Sequence, residues 1–255
     1  MRHLLAARVK QTRFTMAALL LLLALAGVSA QGQTQITKCG TIITAPGEYV
    51  LANDLTNCQF GVIISRAPDV VLNLAGHRIT GTTAMLAAGI KVQSGANRVR
   101  IQGPGVISNF TGQSASGIQL ISGGTVEITA VTATGNDVGF FLHDGRVLVH
   151  GNIATNNVEG FYMVAKGELS DNMATGNKQD GIFAGSFQGD VLITHNTLAF
   201  NGQYGIDADR NAKGNDIISN TALDNVAFDL FDDNRDCRNN WAENTFGTSK
   251  GPCFH

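Results

Sequence analysis

The sequence is poor in proline, in charge and in paired cysteine motifs, and each shortage narrows the choice of fold and function. Only four of the 255 residues are proline, which leaves backbone donors free for hydrogen-bonded strands. No CxxC pair is present, which argues against zinc as the role of the four cysteines. No repeated segment has the length and apolar spacing of an amphipathic helix.

The first 30 residues have the pattern of a secretory signal peptide. Its basic residues are Arg2, Arg8, Lys10 and Arg13. The apolar run that follows, 16–26, is shorter than the ~20 residues that a transmembrane helix needs, and small residues precede a cleavage site before Gln31. We therefore predict a secreted or periplasmic protein without stable membrane insertion after cleavage; a membrane anchor is the alternative.

The charge balance excludes nucleic acid as a partner. With the leader removed, 14 basic and 20 acidic residues give a formal charge of −6, whereas nucleic-acid binding needs a basic surface. The remaining 225 residues are enough to bury one sizeable core without a second domain.

Four consecutive segments between 139 and 227 begin and end alike, with a period of 21 to 24 residues. They begin at Gly139, Gly160, Gly181 and Gly205. Each carries two asparagines near its end: Asn152 and Asn157, Asn172 and Asn177, Asn196 and Asn201, Asn220 and Asn225. A period of this length indicates a solenoid, whose stacked units bury a core jointly. The first and third residues after each glycine are apolar, which is the pattern of a strand with one buried face.

The asparagines and glycines should define how the chain turns between strands. Stacking places equivalent residues about 4.8 Å apart, so the asparagines should hydrogen-bond along columns. We also predict that these asparagines adopt the left-handed conformation of tight turns. The glycine before each strand should serve the same turn geometry.

The Gly-Ile-x-apolar opening and the recurring asparagines resemble the repeats of the right-handed parallel β-helix proteins, the pectate-lyase-like family with PbH1 repeats. The resemblance covers roughly residues 61–246 and implies an all-β, right-handed parallel β-helix of about eight coils. That family includes pectate lyases, polygalacturonases, epimerases and adhesins, so the resemblance implies the fold more strongly than any one activity.

The coils are bounded by predicted caps. We expect an N-terminal cap at 31–60, repeats at 61–227, and the last coil with the C-terminal cap at 228–255. The first two coils are longer than the later ones, and their surplus falls in residues 81–88 and 111–116. These segments should be projecting loops, which often carry function, or tolerated insertions.

All four cysteines lie outside the repeats, at Cys39, Cys58, Cys237 and Cys253. In an exported chain they indicate disulfides. Three pairings exist; Cys39–Cys58 with Cys237–Cys253 is favoured because a solenoid keeps its ends apart. Each bridge would then tie the cap that closes one end of the stack.

Residues between the buried positions of the first strand of each coil should point outward. Coil by coil they are Ile63, Lys91, Gln119, Phe141, Tyr162, Phe183, Asp207 and Asp229. Phe141, Tyr162 and Phe183 would form an exposed aromatic stripe, with Gln119 and Lys91 beside it. Such a stripe is typical of a sugar-binding surface, which makes a polysaccharide or cell-surface glycan the predicted partner. Aromatic residues that stack without any ligand are the structural alternative.

A catalytic interpretation has weaker candidates. The family's lyases and epimerases act on uronic-acid polymers, and His143 and Lys166 on adjacent coils are the candidate bases. Asp207 and Asp229, read as equivalent outward positions, have a spacing compatible with glycoside hydrolysis. The polygalacturonase motifs Asn-Thr-Asp, Gly-His-Gly and Arg-Ile-Lys are missing, so an enzyme of this fold would rather be a lyase or epimerase than a hydrolase.

No cofactor is firmly implied by the sequence. Carboxylates and turn carbonyls suit Ca²⁺, and the candidate ligands are Asp229, Asp232, Asp233 and Asp236; a solvated acidic turn is the alternative. Some relatives of this fold are periplasmic proteins linked to copper-enzyme maturation. The histidines at 77, 143, 150 and 195 fall on different faces, so no soft-metal site is predicted.

Three functions therefore stand as hypotheses. The first is carbohydrate binding or surface recognition through the aromatic stripe. The second is a polysaccharide lyase or epimerase acting on uronic-acid polymers, and the third is a structural or adhesive solenoid without catalysis.

Overall fold

The structure is a computed structural model that describes residues 32–121, 123–185 and 189–254. The predicted signal peptide lies outside the described residues. The chain divides into Met1–Gly32 and Gln33–His255, and the second unit carries the fold. Within the described ranges every regular element is a strand, and no helix there is long and apolar enough to cross a membrane.

The strands are short and follow one another with the predicted period. In chain order they are β1 (Thr34–Ile36), β2 (Thr41–Ile43), β3 (Gly47–Leu51), β4 (Leu55–Cys58), β5 (Phe60–Ile64), β6 (Val70–Asn73), β7 (Arg78–Gly81), β8 (Ala88–Gln93), β9 (Val99–Ser108), β10 (Ser116–Ile121), β11 (Thr125–Thr134), β12 (Val138–Leu142), β13 (Arg146–His150), β14 (Ile153–Thr155), β15 (Glu159–Met163), β16 (Lys166–Ser170), β17 (Met173–Thr175), β18 (Ile182–Ala184), β19 (Val191–Thr194), β20 (Thr197–Ala199), β21 (Tyr204–Ala208), β22 (Asp216–Ile218), β23 (Thr221–Leu223), β24 (Phe228–Asp232), β25 (Asn240–Ala242), β26 (Thr245–Phe246) and β27 (Ser249–Lys250).

The strands stack in parallel into walls that run along the molecule. One wall is a ten-stranded sheet in the order β2-β5-β8-β10-β12-β15-β18-β21-β24-β27. The other strands form a 17-stranded sheet, because the long strands β9 and β11 continue from one wall into the next. β9 pairs with both β6 and β7, and β11 pairs with both β13 and β14. The result is a parallel β-helix of about eight turns, which confirms the predicted fold.

The core consists of apolar columns, as the period-two alternation predicts. Phe140 and Phe161 are fully buried and stack on successive turns, with ring centroids 4.6 Å apart. Ile118 precedes them and Ile182 follows them in the same column, and both are fully buried. Burial of each such side chain contributes about 2 kcal/mol, and this repeated contribution holds the turns together.

Two asparagine ladders run along the molecule at its turns. The first links Asn152, Asn172, Asn196, Asn220 and Asn244 through side-chain amide bonds of 3.0 Å. The second links Asn136, Asn157, Asn177, Asn201 and Asn225 through bonds of 2.9–3.1 Å. These ladders satisfy buried polar groups that would otherwise cost free energy, and they confirm the predicted columns.

The left-handed conformation falls one residue earlier than we predicted. The residue that precedes each ladder asparagine has a φ between 55° and 66° in the ten turns from Gly135 to Glu243. Those residues are Gly135, Gly151, Asn156, Asp171, Gly176, His195, Phe200, Ser219, Asp224 and Glu243. The asparagine itself follows the bend, so that its side chain points inward and meets the next rung.

The recurring glycines of the ten-stranded sheet are required for the close approach of adjacent turns, and not for the turn geometry that we predicted. Glycines 61, 89, 117, 139, 160, 181 and 205 have no left-handed φ. A Cβ on any of them would lie 2.3–2.7 Å from the carbonyl oxygen of the equivalent residue one turn on. Because that contact is with backbone, it cannot relax by a side-chain movement, and adjacent turns approach this closely only where a hydrogen replaces the side chain.

Each end of the described chain carries one disulfide. Cys39 bonds Cys58 and Cys237 bonds Cys253, which confirms the local pairing. The region predicted as an N-terminal cap already contains strands of the same walls, since β1 pairs with β3 and β2 with β5.

The two long connections stack on each other beside the ten-stranded sheet. The hydroxyls of Thr83 and Thr111 lie 2.8 Å apart, and the backbone amide of Leu86 donates to the carbonyl of Gln113 at 2.9 Å. The predicted loops 81–88 and 111–116 therefore form an additional rung of structure at the edge of this sheet. They lead directly into β8 and β10.

Candidate site on the ten-stranded sheet

The outer face of the ten-stranded sheet carries one unbroken column of outward side chains. Its members are Ile42, Ile63, Lys91, Gln119, Phe141, Tyr162, Phe183, Asp207, Phe231 and Lys250. The three aromatic residues of the predicted stripe do line up on successive turns. The last residue of the predicted column was wrong: Phe231, and not Asp229, is the partner of Asp207.

The rings of Phe141, Tyr162 and Phe183 stack face to face. Their centroids lie 5.1 Å and 4.7 Å apart with interplanar angles of 12° and 15°, and all three side chains are half-buried. Each ring therefore covers much of its neighbour's face, and the stack presents mainly ring edges to solvent. A sugar ring finds a free aromatic face only at the ends of this stack.

A second column runs beside the first, one residue before the column formed by glycines 61, 89, 117, 139, 160, 181 and 205 and then Asp229. It contains Phe60, Ala88, Ser116, Val138, Glu159, Asp180, Tyr204 and Phe228. Sequence reasoning missed this column because it considered only residues between two buried ones. In β15, Glu159 before the glycine and Tyr162 two residues after it are both partly exposed, whereas the glycine and Phe161 between them are buried.

Three carboxyl groups from the two columns lie together between aromatic side chains. Burial, together with the charges of Asp180 and Asp207, raises the pKa of Glu159 to about 8. Burial likewise raises the pKa of Asp207 to about 7, with a contribution from Asp180. The pKa of Asp180 rises to about 6 by burial, although the backbone amide of Tyr204, which donates to it at 3.0 Å, opposes the rise.

Aromatic rings lie on both sides of this carboxylate cluster, defined as Glu159, Asp180 and Asp207. Phe183 precedes Asp207 in the first column and Phe231 follows it. The ring of Tyr204, on the same strand as Asp207, stacks on Phe231 with centroids 4.5 Å apart. The site thus combines hydrogen-bonding carboxyl groups with aromatic walls on a rigid sheet, which is how carbohydrate sites are built.

The two candidate bases, His143 and Lys166, each contact a carboxylate. His143 follows β12 on the ten-stranded sheet and its Nδ1 lies 3.4 Å from Asp144. Lys166 begins β16 in the other sheet, and its Nζ donates to Asp190 at 3.1 Å. Each candidate base thus lies beside its own carboxylate, and their joint action on one substrate stays a prediction.

Asp229 is a structural residue rather than an outward catalytic one. Its side chain is buried and occupies the glycine column, where Gly205 is its neighbour. Its Oδ1 accepts from Asn225, and its Oδ2 accepts from the backbone amides of Gly247 and Thr248. The predicted pairing of Asp207 with Asp229 as two outward carboxylates is therefore wrong.

The other candidate calcium ligands are also engaged in separate interactions. Asp232 is fully buried and accepts from Trp241 Nε1 at 2.7 Å. Asp233 pairs with Arg210 and Asp236 with Arg238. Among the described residues, no group of three His, Cys, Asp or Glu side chains is arranged to hold a metal ion.

Lys91 and Gln119 lie at the other end of the aromatic stack from the carboxylate cluster. The Lys91 Nζ lies 5.4 Å from the centroid of the Phe60 ring. Gln119 is buried, and its Oε1 has no hydrogen-bond partner. These two predicted binding residues therefore belong to the same face as the cluster but not to the cluster itself.

The cysteine, methionine and histidine side chains, which are the types that bind copper in proteins, do not cluster in the described part of the chain. All four cysteines are in disulfides, and Met163 lies in the core. The four described histidines contact different partners: His77 with Asp54, His143 with Asp144, His150 with Glu127 and His195 with Thr194. This donor set does not fit a copper ion, and no function is derived through one.

The A-module of mannuronan C-5 epimerase AlgE4 from Azotobacter vinelandii is similar to this chain with a TM-score of 0.36 and 16% identity, over 76% of this chain and 72% of that one. No curated protein matches the sequence. The profile of a family described as "Periplasmic copper-binding protein (NosD)" matches residues 33–250. Its periplasmic location agrees with the two disulfides, which persist outside the cytosol. The chain therefore belongs to the NosD family of periplasmic proteins.

Proposed function

We propose that this protein binds a polysaccharide along the outer face of its ten-stranded sheet. The observation that carries the proposal is the carboxylate cluster, Glu159, Asp180 and Asp207, set between the Phe183 and Phe231 rings. Carboxyl groups accept hydrogen bonds from sugar hydroxyls, while aromatic faces pack against the C–H groups of the ring. Both kinds of group are fixed by strands, so little entropy is lost when the ligand binds.

The aromatic stack extends this surface along the molecular axis. Four rungs separate Gln119 from Asp207, which is a distance of roughly 19 Å at the spacing of paired strands. A surface of this length and flatness suits an extended chain of several sugar units. The ring edges of Phe141 and Tyr162 would line its middle section.

The charge of the cluster favours a neutral glycan over a uronic-acid polymer. In the described part of the chain, none of its three carboxyl groups forms an ion pair. A polyanion would add like charges at this poorly solvated place, at a cost that low local dielectric increases. A neutral β-linked glucan avoids this repulsion and still supplies hydroxyl donors.

Calorimetric titration of the exported protein with cello-oligosaccharides and with oligogalacturonates tests the proposal. We expect the neutral series to bind, and Phe183→Ala and Asp207→Asn each to weaken binding about tenfold, which corresponds to about 1.4 kcal/mol. Met173→Ala is the matched control, since Met173 is an exposed strand residue of the other sheet. Binding that survives both substitutions, or that Met173→Ala weakens equally, would place the glycan elsewhere.

Acid–base catalysis at the same cluster is a second candidate function, because its carboxyl groups have different pKa values. Glu159 remains protonated near neutral pH, whereas Asp180 ionises below it. One protonated and one ionised carboxyl group are what glycoside hydrolysis requires. Hydrolysis of a neutral glycan is therefore proposed beside the lyase or epimerase chemistry expected from the resemblance.

Hydrolase activity and lyase activity are distinguished by their products. Hydrolysis of a cello-oligosaccharide releases new reducing ends, and elimination from a uronate polymer produces an unsaturated, ultraviolet-absorbing product. Glu159→Gln should abolish reducing-end release while glycan binding persists. A protein that binds glycan without releasing either product would be a binding module, and one that binds none of the polymers would be a structural or adhesive solenoid.

A further inference from the structure

Two buried polar atoms on the same face have no hydrogen-bond partner. They are Ser116 Oγ and Gln119 Oε1, both on β10, and the residues are 1% and 6% exposed. Among the described residues, Asn215 Oδ1 is the other such side-chain atom. A buried acceptor without a partner costs about 1–3 kcal/mol, so a pair of them on one strand requires an explanation.

The fold itself does not require polar side chains at these two positions. The neighbours of Ser116 in its column are Ala88 and Val138, and the next residue after Gln119 in its column is Phe141. Apolar residues thus fill both places next to Ser116 and one of the two next to Gln119, the other being Lys91. An alanine and a leucine would pack here without leaving any donor or acceptor unsatisfied.

Both side chains belong to the columns that form the proposed glycan surface. Ser116 shares its column with Glu159, and Gln119 shares its column with the aromatic stack. Lys91 occupies the neighbouring rung beside Gln119 and forms no ion pair with the described residues. One amide, one hydroxyl and one ammonium therefore lie on two adjacent strands, β8 and β10, at the end of the stack that lies away from the carboxylate cluster.

We propose that Ser116 and Gln119 form a subsite that binds one terminal sugar of the glycan, with Lys91 as an additional donor. The inference rests on the proposed function. The Gln119 carbonyl needs a donor, the Ser116 hydroxyl donates and accepts, and the Lys91 ammonium donates; adjacent hydroxyls of one sugar ring satisfy all three. The flexible Lys91 side chain moves to admit the sugar, as long side chains do readily.

Burial is the reason for assigning an end of the glycan to this subsite. The aromatic stack is half-buried, whereas Ser116 and Gln119 are almost fully covered. The exposure of this face therefore falls at β10, next to the stacked connections at 81–88 and 111–116. The end of a chain that lies on the stack would be more enclosed here than the units that lie on the rings.

Thermal unfolding and calorimetric titration with cello-oligosaccharides test the subsite on Gln119→Leu and Ser116→Ala. We expect Gln119→Leu to raise the unfolding temperature by about 2–4 °C, because a protein of this size loses a buried unsatisfied group. We expect the same variant to weaken binding about tenfold, and Ser116→Ala to weaken it about fivefold. Ser170→Ala, a buried serine of β16 in the other sheet, should bind like the wild type.

The failure of this inference differs from the failure of the proposed function. If Phe183→Ala weakens binding but Gln119→Leu and Ser116→Ala bind like the wild type, the subsite does not exist and the glycan surface remains. If the wild-type protein binds no glycan, both fall. A second arm compares, at equal chain concentration, oligosaccharides that are already long enough to fill the surface of roughly 19 Å: constant affinity on further lengthening supports end binding, and affinity that keeps growing with the number of internal units overturns it.

Discussion

Asp229 ends the second asparagine ladder by accepting a 2.8 Å hydrogen bond from Asn225 Nδ2. Every earlier rung of that ladder uses another asparagine as the acceptor. A carboxylate accepts at both oxygens, and the second one binds the amides of Gly247 and Thr248 at 3.0 and 2.9 Å. The residue therefore joins the last regular turn to the C-terminal segment. Burial tends to raise its pKa, but the bonds from Asn225, Thr248 and Gly247 together lower it.

We predict that Asp229→Ala destabilises the protein by about 3 kcal/mol, because several buried donors lose their acceptor together. Urea unfolding at neutral pH measures the change. Since the folded pKa of Asp229 is lowered, its contribution is present above its unfolded value of about 3.9 and disappears as the pH falls through the lower folded value. Asp144→Ala, at an exposed carboxylate, is the control. Equal midpoints for Asp229→Ala and the wild type would show that the ladder needs no terminal acceptor.

The carboxylate cluster should give the opposite pH dependence. Because the folded pKa of Glu159 is raised to about 8 from an unfolded value of about 4.3, the folded state binds its proton more tightly. Stability should therefore decrease as the pH rises between these two values. Glu159→Gln should flatten this decrease and raise the unfolding temperature at the alkaline end of the window.

Unfolding temperatures recorded across that window test the Glu159 prediction. Glu168→Gln is the control, because Glu168 is an outward carboxylate of β16 in the other sheet. A pH profile that Glu159→Gln leaves unchanged would mean that solvent reaches Glu159 in the folded state. In that case Glu159 would be ionised near neutral pH, like Asp180, and the basis for acid–base catalysis at this cluster would be lost.

The fold was predictable because its information repeats along the sequence. Each turn restates the same positions, so glycine, asparagine and alternating apolar residues identify walls, ladders and core without any knowledge of distant contacts. The disulfides followed from the same geometry, as a solenoid separates its ends. The repeat did not reveal why glycine and asparagine recur at their positions. Each glycine is needed because a Cβ there would clash with a carbonyl oxygen one turn away, and the left-handed residue is the one before each ladder asparagine.

The site was only partly predictable because it departs from the repeat. Phe141, Tyr162 and Phe183 were found by their position between buried residues, but Glu159 and Asp180 lie before the glycine and were overlooked. The prediction for Asp229 was wrong at the last coil, because there an aspartate occupies the position that glycine holds in the earlier turns. The raised pKa values depend on burial by neighbouring turns, which no single segment of sequence records.

Two glycine substitutions should distinguish the two uses of glycine in this fold. In Gly160→Ala, the new Cβ would meet the carbonyl oxygen of Gly181 at 2.4 Å, so adjacent turns must separate. In Gly151→Ala, the Cβ meets nothing within 4 Å, but the residue has a φ of 65°. We expect Gly151→Ala to cost about 1 kcal/mol and Gly160→Ala to cost at least twice as much. Urea unfolding of both variants gives the comparison, and equal losses would refute the close-contact explanation.

Phe200 has the least favourable combination of conformation and exposure among the turn residues. It has a φ of 56° and its side chain is 65% exposed, while the equivalent residues three turns and one turn earlier are Gly135 and Gly176. A β-substituted residue in the left-handed region costs about 1 kcal/mol relative to glycine. We therefore predict that Phe200→Gly stabilises the protein by about 1 kcal/mol. It should also reduce self-association, since a large apolar side chain leaves the surface.

Urea unfolding combined with light scattering measures both effects of Phe200→Gly. Leu223→Gly is the matched control: Leu223 is also exposed and apolar, but it lies in β23 and has no left-handed φ. There, glycine should destabilise the protein, because a strand residue gains backbone freedom on unfolding when its side chain is removed. If both substitutions shift the midpoint in the same direction, loss of exposed apolar surface, and not backbone conformation, would dominate at these turns.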